Sequence, residues 1–339
     1  MSTTTVPTRP VEGVSERRPE SQGQIILKRF LRHRGAMVSS IVLLLFFGLS
    51  LAAPIIAPYP RDDLKVERQF TPPFSTAPET GTYHLLGTDN LGYDLFTRVL
   101  YAARVSLTIA ILVVIIAEII GITMGLLAGY YGGWIDNLIT RFIEFVSTFP
   151  TLQILLIMNA VLLSSPWLLP LPGWYVSGVA TVAGVPDKEA FKLAIICTTL
   201  AVLSWTGTAR LMRAQVLSVR ENAYIESSRA LGASSFRTIT THILPNSIGP
   251  LIVDFTLGIN GILVVESILS VLGFGVQTPT PTWGNMLGDA ESVMLAHPWM
   301  PLIAGIPLVI AALAVNFVGD GLRDALDPRM IIGGKRRKK

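Results

Sequence analysis

The chain has 339 residues, of which 50% are hydrophobic and 15% charged, with a formal net charge of +4 and a single cysteine. A soluble globular chain usually carries about 25% charged residues. Here the deficit is gathered into long uncharged runs, which excludes an ordinary soluble domain. Cys197 stands alone, so an intramolecular disulfide is excluded. No recognition motif accompanies the basic balance, so nucleic acid is not expected as a partner; anionic lipid is.

In chain order, residues 1–23 are rich in Thr, Pro, Arg and Glu and read as a disordered tail. Residues 24–36 set Ile26, Leu27, Phe30 and Leu31 against Lys28, Arg29, Arg32 and Arg34, the pattern of an interfacial amphipathic helix. The first apolar span, residues 37–57, exceeds a signal-peptide core of about 7–15 residues and follows a basic segment, so it is expected to stay as an anchor. Residues 58–103 form an extracytoplasmic segment made irregular by Pro60, Pro72, Pro73 and Pro78. Its Asp89 and Asp94 lie in a Gly/Asn-rich run that suits turns and helix caps better than a metal site.

Further spans are predicted at residues 105–128, 145–165, 193–205 with flanks, 247–274 and 301–318. Each meets or approaches the roughly 20 residues that cross a hydrocarbon core of about 30 Å. The span at 193–205 is diluted by Thr198, Thr199, Ser204 and Thr206. Gly129-Tyr-Tyr-Gly-Gly133-Trp-Ile-Asp136 reads as a tight turn with Tyr130, Tyr131 and Trp134 in the interface belt. Residues 165–192 form a second long outer segment, and the prolines of 276–284 stiffen an outer loop. The expected fold class is all-α: a polytopic membrane protein with about six transmembrane helices. Five of them form a core over 104–319, which contains a polar loop at 210–246, and a basic tail follows at 320–339.

Lys and Arg set the orientation. With both termini cytoplasmic, the inner segments hold most of the basic residues, including Arg210, Arg213, Arg220, Arg229, Arg237 and the Lys335–Lys339 run, whereas residues 276–300 hold none. The predicted location is therefore the cell (inner) membrane, multi-pass.

One inner segment is distinctive. Glu221-Asn-Ala-Tyr-Ile-Glu226-Ser-Ser-Arg-Ala-Leu-Gly232 is a short, mixed-charge, helix-prone stretch closed by Gly232. It leads through His242-Ile-Leu-Pro245-Asn246 toward the next span. Tyr224, Ser228 and Leu231 share one face of such a helix, and Ile225 and Arg229 lie on the next. Nine residues make a rod about 13 Å long, which suits either a solvated loop helix or a handle for another protein.

Glu226-Ser-Ser-Arg-Ala-Leu-Gly232 followed by Leu244-Pro245 resembles the EAA loop of ABC-transporter permeases, with Ser227 and Ser228 standing where that family has two alanines. Other stretches resemble the C-type permease of dipeptide, oligopeptide and nickel importers. They include Leu86-Gly-Thr-Asp89, Ala103-Arg-Val-Ser-Leu107, Phe149-Pro150, Glu266-Ser-Ile-Leu-Ser270, Leu272-Gly-Phe-Gly275 and Gly319-Asp-Gly-Leu-Arg-Asp-Ala-Leu-Asp-Pro328. The resemblance runs from about residue 28 to 328, with Tyr93 where the family often has Arg.

It implies a type I ABC importer architecture, a B-type partner permease, two ATP-binding subunits and an extracytoplasmic solute-binding protein. It also implies that the coupling residues are Ala223, Tyr224, Glu226, Ser227, Ser228, Arg229, Leu231 and Gly232. No cofactor is expected on this chain, since the GxxxxGK[ST] phosphate loop is absent. ATP and Mg are expected on the partner ATPase subunits, and no metal site or catalytic residue is expected here.

Buried polar residues are the other candidates. Glu118 falls midway through the second span, and Asp254, Asn260 and Glu266 fall in the fifth. A carboxylate at mid-membrane costs about 2.5–3.5 kcal/mol on insertion scales and so faces protein or water. Either these groups line a translocation path or they bond neighbouring helices at about 0.6 kcal/mol each. Asp254 and Glu266, twelve residues apart, lie near one helix face, about 18 Å apart along it. Gly258, Gly261, Gly273 and Gly275 suit close helix approach or local unwinding. The reading is a permease subunit forming half of a pathway for peptides. Its rivals are an ion- or proton-coupled secondary transporter using Glu118, Asp254 and Glu266, and a scaffold that conducts nothing.

Overall fold

The computed structural model describes residues 22–326 and is almost wholly helical. Among these residues, five helical stretches are long and apolar enough to cross a membrane: Arg34–Leu51, Leu95–Tyr131, Asp187–Arg220, Ser235–Val271 and Trp299–Leu326. A sixth crossing would need the pair Gly133–Thr148 and Thr151–Ser164, which is bent by 82°. The sequence predicted a single span at 145–165. The bend falls at Phe149-Pro150, where Phe149 is extended at φ −84°, ψ 141°. Proline has no N–H to donate and disfavours helix in the residue before it. The second arm has 14 residues and reaches only about 21 Å.

Helix α1 (Gln22–Arg32) carries the predicted amphipathic pattern and ends at His33, whose Nδ1 accepts the Ala36 N–H at 3.1 Å and so caps α2 (Arg34–Leu51). A short α3 (Ala53–Ile56) follows. Residues 57–94 fold into a compact cap with a two-stranded hairpin, β1 (Ser75–Thr76) against β2 (Tyr83–His84). The cap is built around buried polar groups. Arg68 donates to the carbonyl and carboxylate of Asp63 at 2.8 and 2.9 Å. His84 Nδ1 meets Asp94 Oδ1 at 2.8 Å while its Nε2 meets the Thr82 hydroxyl at 2.9 Å.

Asp94 is the N-cap of α4 (Leu95–Tyr131), accepting from the Thr97 N–H at 2.8 Å. Asp89 accepts the N–H groups of Leu91 and Tyr93, both at 2.9 Å, and lies 3.5 Å from Arg98. Burial pushes the Asp89 carboxyl above its ordinary range despite Arg98 and those donors. Turn and cap roles therefore account for both aspartates.

The seam between α4 and α8 (Asp187–Arg220) is the best-packed helix pair in the bundle. Gly121, Gly125 and Gly129 face it at four-residue spacing. A methyl group on them would lie 2.7 Å from Thr208 Cβ, 2.6 Å from Met212 Cβ and 2.7 Å from Val216 Cβ respectively. Close approach of this kind is how helices gain dispersion contacts where burial from water gives no drive. The sequence placed close approach at the glycines of the fifth span; there only Gly258 touches a facing helix, through Val114, and α11 (Leu244–Val271) is not unwound at Gly258 or Gly261. Tyr130, expected in the interface belt, is instead buried with Met212 and Val216.

After the turn at Gly132 come α5 (Gly133–Thr148) and α6 (Thr151–Ser164). The segment 165–192, expected on the outer side and not divided further by its pattern, holds α7 (Gly173–Ala183) and the first turn of α8. Arg104 of α4 binds the last carbonyls of α7, Val182 and Thr181, both at 2.8 Å. Glu189 of α8 joins the cap through Arg61 at 3.1 Å and the 276–284 loop through the Thr280 hydroxyl. That loop is ordered by Asn285, which bonds the Thr280 and Val276 carbonyls and completes a capping box with Thr282 at the head of α12 (Trp283–Glu291). The last helix, α13 (Trp299–Leu326), packs on α1, α2 and α11.

Candidate functional site

Helix α9 (Ala223–Ala230) stands at the end of the bundle opposite the cap. Asn222 is its N-cap, and its C-terminus is a Schellman motif. The Gly232 N–H reaches the Arg229 carbonyl at 2.9 Å and the Ala233 N–H reaches the Ser228 carbonyl at 3.1 Å, with Gly232 at φ +82°. Only glycine adopts that φ without penalty, which is why the chain can stop here and turn. One apolar side chain, Ile225, is fully buried and joins Tyr130, Met212, Val216, Ile243 and Leu251. Arg229 lies over the Tyr130 ring at 4.8 Å.

The rest of α9 is open. Glu226 and Ser227 are exposed, as are Ala223 and Arg229, and Ser228 is half-buried. Tyr224 is 45% exposed, Leu231 89% and, beyond the turn, Phe236 77%. The structure thus gathers the eight predicted coupling residues on one small projection. Sequence reasoning missed three contributors: Tyr130 and Ile243, which form the socket for Ile225, and Phe236, an isolated aromatic in a polar run that was the available signal.

Beyond α9, the chain does not wait for Leu244-Pro245 to re-enter a helix. Ser234 caps α10 (Ser235–Thr238), a π turn at Ile239–Ile243 follows, and α11 continues directly. The π turn lets the chain pass Pro245, which has no N–H to donate to the preceding turn. The projection therefore joins two long helices, α8 and α11, through short rigid links.

The buried carboxylates divide into two places. Thr208 of α8 lies between Glu118 and Asp254, with its hydroxyl 3.3 Å from Glu118 Oε1 and 2.9 Å from Asp254 Oδ2. These three line a cavity with Gly207, Gly258 and Gly261. Glu266 is elsewhere. It is 1% exposed, accepts the Ser270 hydroxyl at 2.8 Å, and is covered by Gly284 of α12. Asn260 does not line the cavity, and its Oδ1 is buried without a partner. The expected alignment of Asp254 with Glu266 is thus replaced by a pairing of Asp254 with Glu118. Thr208 was missed, although polar dilution of the fourth span marked the helix that carries it. Asn159 accepts from Thr199 at 2.9 Å, a helix–helix bond between α6 and α8. Among the described residues no group of three or more His, Cys, Asp or Glu is placed to hold a metal.

Residues 121–332 match the family described as binding-protein-dependent transport system inner membrane component. Residues 21–73 match the N-terminal TM domain of oligopeptide transport permease C. A Brucella abortus protein provisionally named a peptide transport system permease is 34% identical over 311 residues, which are 91% of this chain and 92% of that one. The dipeptide transport system permease protein DppC of Alkalihalophilus pseudofirmus is 33% identical over 303 residues, 89% of this chain and 88% of that one. A chain of the inward-facing MetNI methionine ABC transporter superposes with a TM-score of 0.49 at 16% identity, over 69% of this chain and 96% of that one. The two family matches and the two permease relatives lead to one assignment: the chain belongs to the binding-protein-dependent transport system inner membrane component family, as a C-type, multi-pass inner-membrane permease subunit of an ABC importer whose ATPase activity lies on partner subunits.

Proposed function

We propose that this chain forms half of a peptide translocation pathway and that α9 is the helix through which ATP-binding subunits drive it. The observation that carries the proposal is the build of α9. A single buried side chain, Ile225, roots it, a Schellman turn closes it, and apolar Leu231 and Phe236 face outward. A short rod linked to α8 by a tight turn and to α11 through α10 and the π turn moves those helices when it is pushed, and exposed apolar groups beside a charged face suit a protein partner. The peptide substrate is supported by the names of the two relatives.

In this reading the α9 end and both termini are cytoplasmic, as the distribution of Lys and Arg favours. Arg329 and the Lys335–Lys339 run lie outside the described residues. The partners are a B-type permease, two ATP-binding subunits that carry ATP and Mg, an extracytoplasmic solute-binding protein on the cap side, and membrane lipids.

The test is ATP-driven peptide uptake by the whole complex in proteoliposomes. Glu226→Lys and Gly232→Val are expected to leave the subunits co-purifying and hydrolysing ATP while uptake per ATP falls at least about tenfold; a non-glycine residue at positive φ costs about 1–3 kcal/mol. Unchanged uptake with both substitutions removes α9 from the coupling route. Uptake sustained by a proton gradient without ATP would instead return the chain to the secondary-transport reading.

A further inference from the structure

The bend that separates α5 from α6 leaves a helix head inside the membrane. Gly121 of α4, within the apolar run 105–128, faces Trp205 and Thr208 of α8, which sets this stretch of α8 at membrane depth. The first turn of α6 lies against the same stretch, at a cavity of about 200 Å³ lined by Ser147, Thr151, Thr206 and Arg210. Pro150 is the N-cap of α6 and provides no side-chain cap. The first intrahelical bond is made by the Ile154 N–H to the Pro150 carbonyl, at 3.2 Å. The N–H groups of Thr151, Leu152 and Gln153 come before it and remain as donors, with the positive end of the helix dipole behind them.

Arg210 adds a charge that no described carboxylate answers. Farther along α8, Arg213 holds both oxygens of Asp136, at 2.5 and 2.6 Å, and Arg220 donates to the Gly129 carbonyl at 3.0 Å. Arg210 reaches only the Ser147 hydroxyl, at 3.3 Å, and pairs with no carboxylate among the described residues. Thr206 is a second unspent donor. It is 9% exposed and lines the cavity, and its hydroxyl bonds to nothing among the described residues. A guanidinium at membrane depth faces an anion or water rather than lipid tails. Leu203, Gly207 and Arg210 share the open face of α8 at three- and four-residue spacing. Gly207 lines the cavity beside Glu118 and Asp254, and Leu203 and Arg210 line this one, so the two open side by side on that face.

We propose that the head of α6, Arg210 and Thr206 hold an oxyanion, the C-terminal carboxylate of a peptide in transit. This rests on the peptide-importer reading and deepens it. A carboxylate is an acceptor only, and the cavity offers it backbone N–H groups, a hydroxyl and a guanidinium together. Broken membrane helices receive anionic groups in this way, because the half-helix head supplies donors and dipole at once. Every linear peptide carries this carboxylate whatever its side chains, so one such site serves mixed sequences. A peptide amide brings no charge for Arg210 to meet. A phospholipid phosphate shares the chemistry and is the rival occupant.

The experiment uses the complete complex in proteoliposomes with its binding protein and ATP. Two tripeptides differ only in a C-terminal carboxylate against a carboxamide, and each is supplied at a concentration that saturates the binding protein. Arg210→Gln is expected to lower the ratio of acid to amide uptake about tenfold, Thr206→Val about threefold, and Arg210→Lys to keep most of it. If Arg210→Gln does not assemble, Thr206→Val reads the same ratio. A tripeptide ending in p-benzoylphenylalanine with a free carboxylate, photolysed during turnover, is expected to label residues 146–154 or 203–210. An unmoved ratio overturns the proposal, as does labelling confined to other segments. Equal loss of both peptides assigns Arg210 to packing and also overturns it. A change in ratio seen only in vesicles that contain anionic lipid makes the lipid phosphate the occupant and overturns it too. If the wild-type complex takes up neither peptide, the peptide-importer reading itself fails, and that result appears before any substitution is made.

Discussion

The two ends of the bundle are built on opposite plans. The cap end buries its ions: Arg68, His84, Asp89, Asp94 and Arg98 are all inside, held by one another and by backbone groups. Guanidinium nitrogens left without acceptors there lie near aromatic rings, Arg68 over Tyr59 at 5.3 Å and Arg98 over Tyr93 at 4.7 Å. Helix α9 buries one apolar side chain and leaves its own charges, Glu226 and Arg229, and two large apolar groups in the open, while the bundle beneath it keeps the half-buried Arg213–Asp136 pair. A surface that closes on itself sets shape; a surface left open is completed by something else. The cap reads as a fixed frame around the head of α4, and α9 as a joint.

The comparison breaks first at Arg68. Its side chain is 0% exposed and pairs with Asp63. Removing one partner of a buried pair costs about 3–5 kcal/mol, so Arg68→Ala is expected to lower the melting temperature of the detergent-solubilised complex and its yield. A melting temperature within error of wild type would show that the cap does not hold the frame. Ile225→Ala should act more locally. Deleting a buried Ile side chain costs about 2–5 kcal/mol, and at the edge of the bundle the lower part of that range applies. Faster amide hydrogen exchange confined to α9, with transport weakened and the bundle intact, is the expected result; exchange that spreads into α8 and α11 would mean that α9 is part of the core rather than a joint on it.

Much of this contrast was legible in the sequence. Gly232 after a helix-prone, mixed-charge stretch marks α9 because positive φ has few alternatives to glycine. Asp94 announced a helix head because side-chain caps are local. What stayed hidden depends on partners distant in the chain. Glu118 and Asp254 meet across Thr208, where Gly121 lets α4 approach α8 and Gly258 lets α11 approach α4, and no periodicity within a single span encodes that register. Glu266 looked aligned with Asp254, yet twelve residues at 3.6 per turn set it about 120° round the helix, where α12 folds back over it and seals it. The bend at Pro150 was readable in principle, but the apolar run through it masked the break.

The smallest expected effect on stability sharpens the comparison most. Leu231 is 89% exposed and contributes almost nothing to the core. Surface substitutions of this kind usually change stability by no more than about 0.5 kcal/mol, so Leu231→Ser should leave the melting temperature of the permease pair unchanged. If the open face of α9 is completed by an ATP-binding subunit, the same change removes apolar surface from that contact and weakens co-purification of the ATPase, as loss of an interface anchor does. A titration of ATP-binding subunit onto permease-containing nanodiscs reads this directly. Unaltered affinity would place the docking contact elsewhere on the inner surface, with Phe236 the next exposed apolar group to substitute. A fall in affinity with no change in melting temperature would separate the two plans cleanly, because a residue of the cap cannot lose its partners without loosening the fold.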